Sequence, residues 1–68
     1  MLRLSKLLGA MDDLDIIEIL DGGKTYSECG VFFGFCEDAK SAGITDADVS
    51  EYAVEHGIHT IIIKGDRI

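Results

Sequence analysis

Two segments of the chain are apolar on both faces at strand spacing. Residues 14–20 run Leu-Asp-Ile-Ile-Glu-Ile-Leu, and residues 58–64 run Ile-His-Thr-Ile-Ile-Ile-Lys. Alternate side chains of a strand point to opposite faces, so each segment presents apolar side chains in both directions. We therefore expect both segments to be central strands of a sheet that is covered on two sides.

A short amphipathic helix is predicted at the N-terminus. Ser5 is its candidate N-cap. Asp12 and Asp13 are unfavourable at a helix C-terminus, where the helix dipole favours cations, so the helix should end after about two turns. Its apolar stripe has the spacing i, i+3, i+4 and i+7 and consists of Leu4, Leu7, Leu8 and Met11.

The middle of the chain predicts a hairpin and then a second short helix. The run Asp21-Gly22-Gly23 is typical of a hairpin turn because Gly adopts positive φ readily. Residues 24–29 would then be the return strand, with Tyr26 as its buried side chain. A helical stripe that starts at Phe32 predicts a short helix or turn over residues 35–42.

Residues 45–56 fit two structures. Thr45 followed by acids is typical of a helix N-terminus, and the spacing of the apolar residues after it slightly favours a helix. The same residues also alternate as a half-buried strand that ends in a turn at His56-Gly57.

The charge of the chain restricts its partners. Its 68 residues contain 13 Asp and Glu against 6 Lys and Arg, a net charge of −7. Twelve of the acids lie in residues 12–56, where they meet only Lys24 and Lys40. This balance disfavours direct binding to nucleic-acid phosphates and suits a partner with a basic surface, although acids can also serve solubility alone.

No apolar run approaches the roughly 20 residues of a membrane span, so we expect a cytoplasmic protein.

The cysteines and histidines allow several interpretations. We expect Cys29 and Cys36 to be packed thiols; a disulfide between them, or a zinc site completed by His56 and His59, is the alternative. No further group is identifiable to orient a Cys–His nucleophile. We therefore expect no catalytic residue, no cofactor and no metal, and a protein that is not an enzyme.

The N-terminal part of the chain resembles a group of known proteins. Residues 1–8 (MLRLSKLL), 11–13 (MDD), the isoleucine-rich strand at 16–20, 21–23 (DGG) and Tyr26 resemble small proteins of bacteriophages and prophages of Gram-positive gut bacteria. The resemblance covers the first 30 residues, extends loosely to 49–63, and departs at 30–42, which are richer in Phe and Cys. It implies a phage origin and a strand for residues 49–56, and it carries over no catalytic residue.

Together these patterns predict one α+β domain over residues 1–68. Two hairpins would form a small antiparallel sheet in the order 2-1-4-3, with the N-terminal helix on one face. The other face would be covered by the Phe-rich segment (residues 30–35), by a second copy of the chain or by a partner. Such an apolar face is unusual on a monomer if it stays uncovered. We expect a homodimer or larger assembly whose contact includes Phe32, Phe33, Phe35, Ile61 and Ile63.

The expected function is that of a small acidic phage protein that binds a basic surface on a host protein. Inhibition of a host defence nuclease, as by anti-CRISPR proteins, fits this charge, since carboxylates can replace phosphates. The candidate partner-binding residues lie in connections and are Glu37, Asp38, Asp46 and Asp48. The alternative is a self-associating structural or accessory phage protein. Clustered acids would favour the inhibitor, and scattered acids the accessory protein.

Overall fold

The computed structural model describes residues 2–25 and 27–65 and has an α+β fold. Four strands form one sheet in the order β2-β1-β4-β3, which confirms the predicted order. The elements along the chain are α1 (Leu4–Ala10), β1 (Ile16–Asp21), β2 (Gly30–Phe35), α2 (Cys36–Ser41), β3 (Val49–Glu55) and β4 (Ile58–Ile63).

The sheet is mixed, whereas a purely antiparallel sheet was predicted. The outer pairs β1–β2 and β3–β4 are antiparallel hairpins, but the central pair β1–β4 is parallel. The connection between the hairpins explains the difference. It contains α2 and returns the chain along the sheet, so β3 starts at the same end as β2. Crossover connections of this kind produce parallel neighbours.

Both helices pack on one face of the sheet. Ile17 and Ile19 of β1 and Ile61 of β4 have no solvent exposure and form the floor of the core. The predicted stripe of α1 is confirmed, since Leu4 and Leu8 are buried and the other two members pack against the core. Burial of apolar area at this single interface is the main favourable contribution to folding. The remaining buried residues are Cys36, Ala39 and Ile63.

The predicted return strand at residues 24–29 is wrong. These residues belong to a longer hairpin loop, in which the Lys24 N–H donates to Asp21 O and the Glu28 N–H donates to Thr25 O. The return strand is β2, which takes up the Phe-rich segment. Aromatic and β-branched side chains favour a strand. In this segment that strand propensity outweighs the helical periodicity of the apolar residues that starts at Phe32. Tyr26 lies outside the described residues.

The other predicted elements agree with the structure. The helix α2 falls within residues 35–42, and residues 49–55 form β3, so the strand interpretation of this stretch is confirmed. The turn at His56-Gly57 is confirmed as well, with φ angles of 52° and 78°. Positive φ at both central residues matches the twist of a tight antiparallel hairpin.

The second face of the sheet, which we call the open face, is exposed. The Phe-rich segment does not cover it, because that segment is itself the edge strand β2. Cover was expected on both faces, but within residues 2–25 and 27–65 only the helix-packed face is covered. The open face contains Ile16, Glu18 and Leu20 of β1, Val31, Phe33 and Phe35 of β2, Ile58, Thr60 and Ile62 of β4, and Glu51, Ala53 and Glu55 of β3.

Candidate binding surface at the acidic end of the sheet

Acidic side chains collect at one end of the sheet, where β1 and β4 begin and β2 and β3 end. The turn before β1 lies against the start of α2 and is joined to it by backbone hydrogen bonds. The Glu37 N–H donates to Asp13 O at 3.0 Å, and the Cys36 N–H donates to Asp15 O at 2.8 Å. We call this region the acidic end and define it as Asp12, Asp13, Asp15, Glu37, Asp38 and Glu55.

The last member of the acidic end comes from the other hairpin. Glu55 pairs with Ile58 across the β3–β4 turn, and Ile58 pairs with Ile16 at the start of β1. Three segments distant in sequence therefore supply the six carboxylates. Because neighbouring strands lie about 4.8 Å apart, the acidic end extends roughly 14 Å across the four strands.

Positive charge at the acidic end is sparse. Within the described residues, Lys40 is the one Lys or Arg there, and its Nζ lies 2.9 Å from Asp13 Oδ1. This hydrogen bond raises the pKa of Lys40. The His59 ring approaches Asp15 at 3.7 Å between Nε2 and Oδ2. Six carboxylates against one permanent cation leave this end strongly negative.

The opposite end of the sheet holds its acids in internal bonds. Asp46 Oδ1 accepts the Ser5 N–H at 2.9 Å, and Asp46 Oδ2 accepts the Ser5 hydroxyl at 2.8 Å. Asp46 thus caps α1, whereas Ser5 itself was the predicted N-cap. The two Ser5 donors lower the pKa of Asp46. We call this region, which consists of Arg3, Ser5, Asp46 and Asp48, the paired end.

Arg3 completes the paired end. Its guanidinium lies 3.4 Å from Asp46 and 3.2 Å from Asp48. The hydrogen bond that Arg3 donates to Asp48 is the main cause that raises the pKa of Arg3. Both acids therefore connect the N-terminal segment to the loop before β3. Long-range pairing of this kind gives no local sequence signal.

The structure separates the four predicted partner-binding residues into two pairs. Glu37 and Asp38 lie exposed in the first turn of α2, at the acidic end. Asp46 and Asp48 lie at the paired end, roughly 20 Å away along a six-residue strand. The other acids of the acidic end were not among the predicted site residues. A usable signal existed, because a β1–β2 hairpin brings the turn before β1 next to the residues after β2.

The predicted self-association residues also separate. Phe33 and Phe35 are exposed on the open face, whereas Phe32 points to the other face and packs against the core. Ile61 and Ile63 are buried beneath the helices and are not available for a contact in this fold. A contact through the open face would therefore use the two exposed Phe residues.

The two thiols lie apart from each other. Cys36 is buried, its S–H points to Leu8 O at 3.5 Å, and burial raises the pKa of the thiol. The six residues of β2 separate it from Cys29, which excludes a disulfide between the two in this fold. His59 is engaged with Tyr52, whose hydroxyl lies 2.7 Å from Nδ1 and whose ring stacks on the imidazole. In the described part of the chain, no three His, Cys, Asp or Glu side chains are grouped to hold a metal ion.

No family model, curated protein or solved structure matches this chain. Across residues 2–25 and 27–65, no helix has the length and apolar character needed to cross a membrane.

Proposed function

We propose that this chain is a small acidic binding protein of phage type that inhibits a host defence nuclease. The acidic end would occupy the basic groove in which the nuclease holds nucleic acid. The observation that supports this proposal is the concentration of six carboxylates around one permanent cation at one end of the sheet. The protein contributes binding and no catalytic step, and its partner is a protein of the host cytoplasm.

The dimensions of the acidic end suit a phosphate-binding groove. Along the axis of a nucleic-acid duplex, successive phosphates of one strand are about 3.4 Å apart. A surface roughly 14 Å wide therefore corresponds to about four phosphates of one strand. Carboxylates on a rigid sheet end can meet the Lys and Arg side chains that normally contact those phosphates.

Capture from a host lysate at low and high salt tests the proposal. The variant Glu37→Lys with Asp38→Lys removes two acids from the acidic end, and since each change adds two charges the net charge becomes −3 instead of −7. The matched control Thr25→Lys, Ser27→Lys, Glu28→Lys has the same net charge but changes the distant β1–β2 loop. We expect the parent and the control to capture a nucleic-acid-binding protein that the first variant does not capture.

The captured protein must also lose a function. We expect its binding to a labelled nucleic acid to fall when the parent chain is added, and to be unaffected by the Glu37→Lys, Asp38→Lys variant. Equal capture by both variants, or undiminished nucleic-acid binding in the presence of the parent, would contradict the proposal.

The second candidate is a self-associating accessory protein whose acids serve solubility. The exposed Phe33 and Phe35 on the open face favour this function, because contiguous apolar patches on a small protein mark contact sites. Sedimentation equilibrium at micromolar concentration distinguishes the two candidates. A homodimer that reverts to a monomer in Phe33→Ser, with no salt-sensitive partner, would favour the accessory protein.

A further inference from the structure

The open face combines an apolar area with acids, and its four strands contribute no Lys or Arg side chain to it. Its most exposed apolar side chains are Phe33 at 63%, Phe35 at 46%, Val31 at 40% and Ile16 at 38% exposure. They lie on β2 and β1, and the half-buried Ile62 and Ile58 of β4 extend the same surface. Single exposed apolar side chains are common on protein surfaces, but a contiguous apolar area across three strands marks a contact surface.

The charges of the open face select the kind of occupant. Glu18 lies half-buried on the central strand β1, between Phe33 of β2 and Thr60 of β4. Glu51 and Glu55 flank the apolar area on β3. The four strands contain no Lys and no Arg. Every Lys, Arg, Asp or Glu side chain that the strands place on this face is therefore an acid.

A second copy of the chain is a poor occupant of the open face. Face-to-face packing of two copies would remove Glu18 from water next to further acids, and the strands of the second copy would supply no Lys or Arg. Burial of a carboxylate without a partner charge is strongly unfavourable. An occupant that supplies both apolar and cationic side chains satisfies the whole surface.

We propose that the open face binds an amphipathic, Lys- or Arg-bearing helix of the host partner. The apolar stripe of this helix would cover β2, β1 and β4, and its cations would meet Glu18, Glu51 and Glu55. The inference rests on the proposed function, since it assigns a second contact to the same basic partner. The open face is separate from the surface that carries the side chains of Glu37 and Asp38.

The dimensions of the sheet fit one helix. A six-residue strand is roughly 20 Å long, which a helix of about 13 residues matches at 1.5 Å per residue. A helix with its side chains is about 10–12 Å wide, enough to cover two to three strands at their spacing of about 4.8 Å. The acids of β3 then remain along one side of the helix, where flanking Lys or Arg side chains can reach them.

A synthetic peptide provides a probe that does not require the host partner. We propose a helix of about 14 residues made of Leu and Lys, with Leu at positions i, i+3, i+4 and i+7. A second peptide of the same composition, with the Leu residues scattered around the helix, serves as the control. We expect the amphipathic peptide to bind at least about tenfold more tightly. In NMR spectra of the labelled chain, it should shift the amide signals of Ile16, Glu18, Phe33 and Thr60.

Three variants locate the binding surface. We expect Phe33→Ser to weaken the amphipathic peptide about tenfold and Glu18→Gln to weaken it and reduce its salt dependence. Glu37→Lys with Asp38→Lys should keep most of the peptide affinity while losing the captured host protein. The last result separates the two proposals, because peptide binding by the open face is then measured independently of nuclease binding by the acidic end.

Three results would overturn the inference. The first is equal binding of the two peptides, or binding of neither. The second is a set of NMR shifts confined to the helix-covered face or to residues 12–15 and 37–38. The third is a chain that sediments as a dimer whose Phe33 is buried between copies. Unfolding curves for Phe33→Ser and Glu18→Gln, which we expect to match that of the parent closely, ensure that weakened binding does not reflect a lost fold.

Discussion

The two ends of the sheet carry the same kind of side chain and use it differently. At the paired end, Asp46 and Asp48 are bonded to Ser5 and Arg3 and connect the N-terminal helix to the loop before β3. At the acidic end, Glu37 and Asp38 project from the first turn of α2 into solvent. Acids near a helix N-terminus are favourable in both places, but only the second pair remains available to a partner.

The contrast shows that the position of an acid in a connection does not decide its role. All four residues lie in or beside connections, where binding residues concentrate. Their internal hydrogen bonds separate them into two groups. Changes at the two ends of the sheet should therefore have different consequences.

Removal of the cap at the paired end should destabilise the fold most. We expect Asp46→Ala to lower the Tm clearly, because the first turn of α1 loses the acceptor for the Ser5 N–H and hydroxyl. Glu37→Ala should leave the Tm nearly unchanged. Arg3→Gln should lie between them, because an exposed ion pair contributes less than a cap. Thermal unfolding followed by circular dichroism measures all three, and equal melting of Asp46→Ala and Glu37→Ala would contradict the division.

Acid should weaken the paired end through the same residue. Hydrogen bonds from Ser5 hold the pKa of Asp46 below its usual range, so the unfolded chain binds a proton there more readily than the folded chain. The stabilisation is therefore present above the usual Asp pKa of about 3.9 and is lost as the pH falls through and below that value. We expect the stability of Asp46→Asn to depend less on pH between about 5 and 3 than that of the parent.

The thiols should not matter to binding at the acidic end, although Cys36 lies beside it. Replacement of Cys29 and Cys36 by Ala should cost about 1 kcal/mol of folding free energy through lost packing, mainly at the buried Cys36. Partner capture should remain intact. In the parent chain, Cys36 should react slowly with a thiol reagent, since burial raises its pKa. Loss of capture in the double variant would show that this end acts through more than charge.

The smallest effect is expected from the cation of the acidic end. Lys40→Met removes an exposed partner of Asp13 and should hardly change the Tm. It also makes the end more negative, so a basic partner should associate faster, by about twofold. Stopped-flow mixing at low salt measures this rate. A slower association would indicate that Lys40 itself contacts the partner.

The sequence predicts the order of the strands and most of the core. The Leu stripe of α1 follows from its helical spacing, and the alternation along β1 and β4 predicts the face that carries the buried Ile17, Ile19, Ile61 and Ile63. The turn at His56-Gly57 follows from local chemistry alone. These features depend on neighbours within one element or one hairpin.

Features set by distant residues could not be predicted in the same way. The parallel pairing of β1 and β4 depends on the direction in which α2 returns the chain. Phe32 begins a helical stripe that Cys36 and Ala39 indeed continue in α2, yet Phe32 itself lies in β2. The cap on α1 comes from Asp46, 41 residues further along the chain than Ser5. No local pattern contains that contact.

Only two of the six acids of the acidic end were predicted as site residues. Glu37 and Asp38 could be selected because they follow the aromatic segment, and the structure places them there as exposed side chains. Asp12, Asp13 and Asp15 join them through the β1–β2 hairpin, and Glu55 joins them through β4. Only the assembled sheet brings these carboxylates to one end.

The association rate of the captured host protein, measured as a function of salt, decides whether the acidic end is the binding surface. Exposed charges act over a Debye length of only about 8 Å at physiological ionic strength, so an electrostatic contact must weaken as salt increases. We expect the parent and the Thr25→Lys, Ser27→Lys, Glu28→Lys control to associate fast at low salt and much more slowly at high salt. Glu37→Lys with Asp38→Lys should associate slowly at both. If this variant associates as fast as the control, with a rate that does not change with salt, the acidic end is not the binding surface.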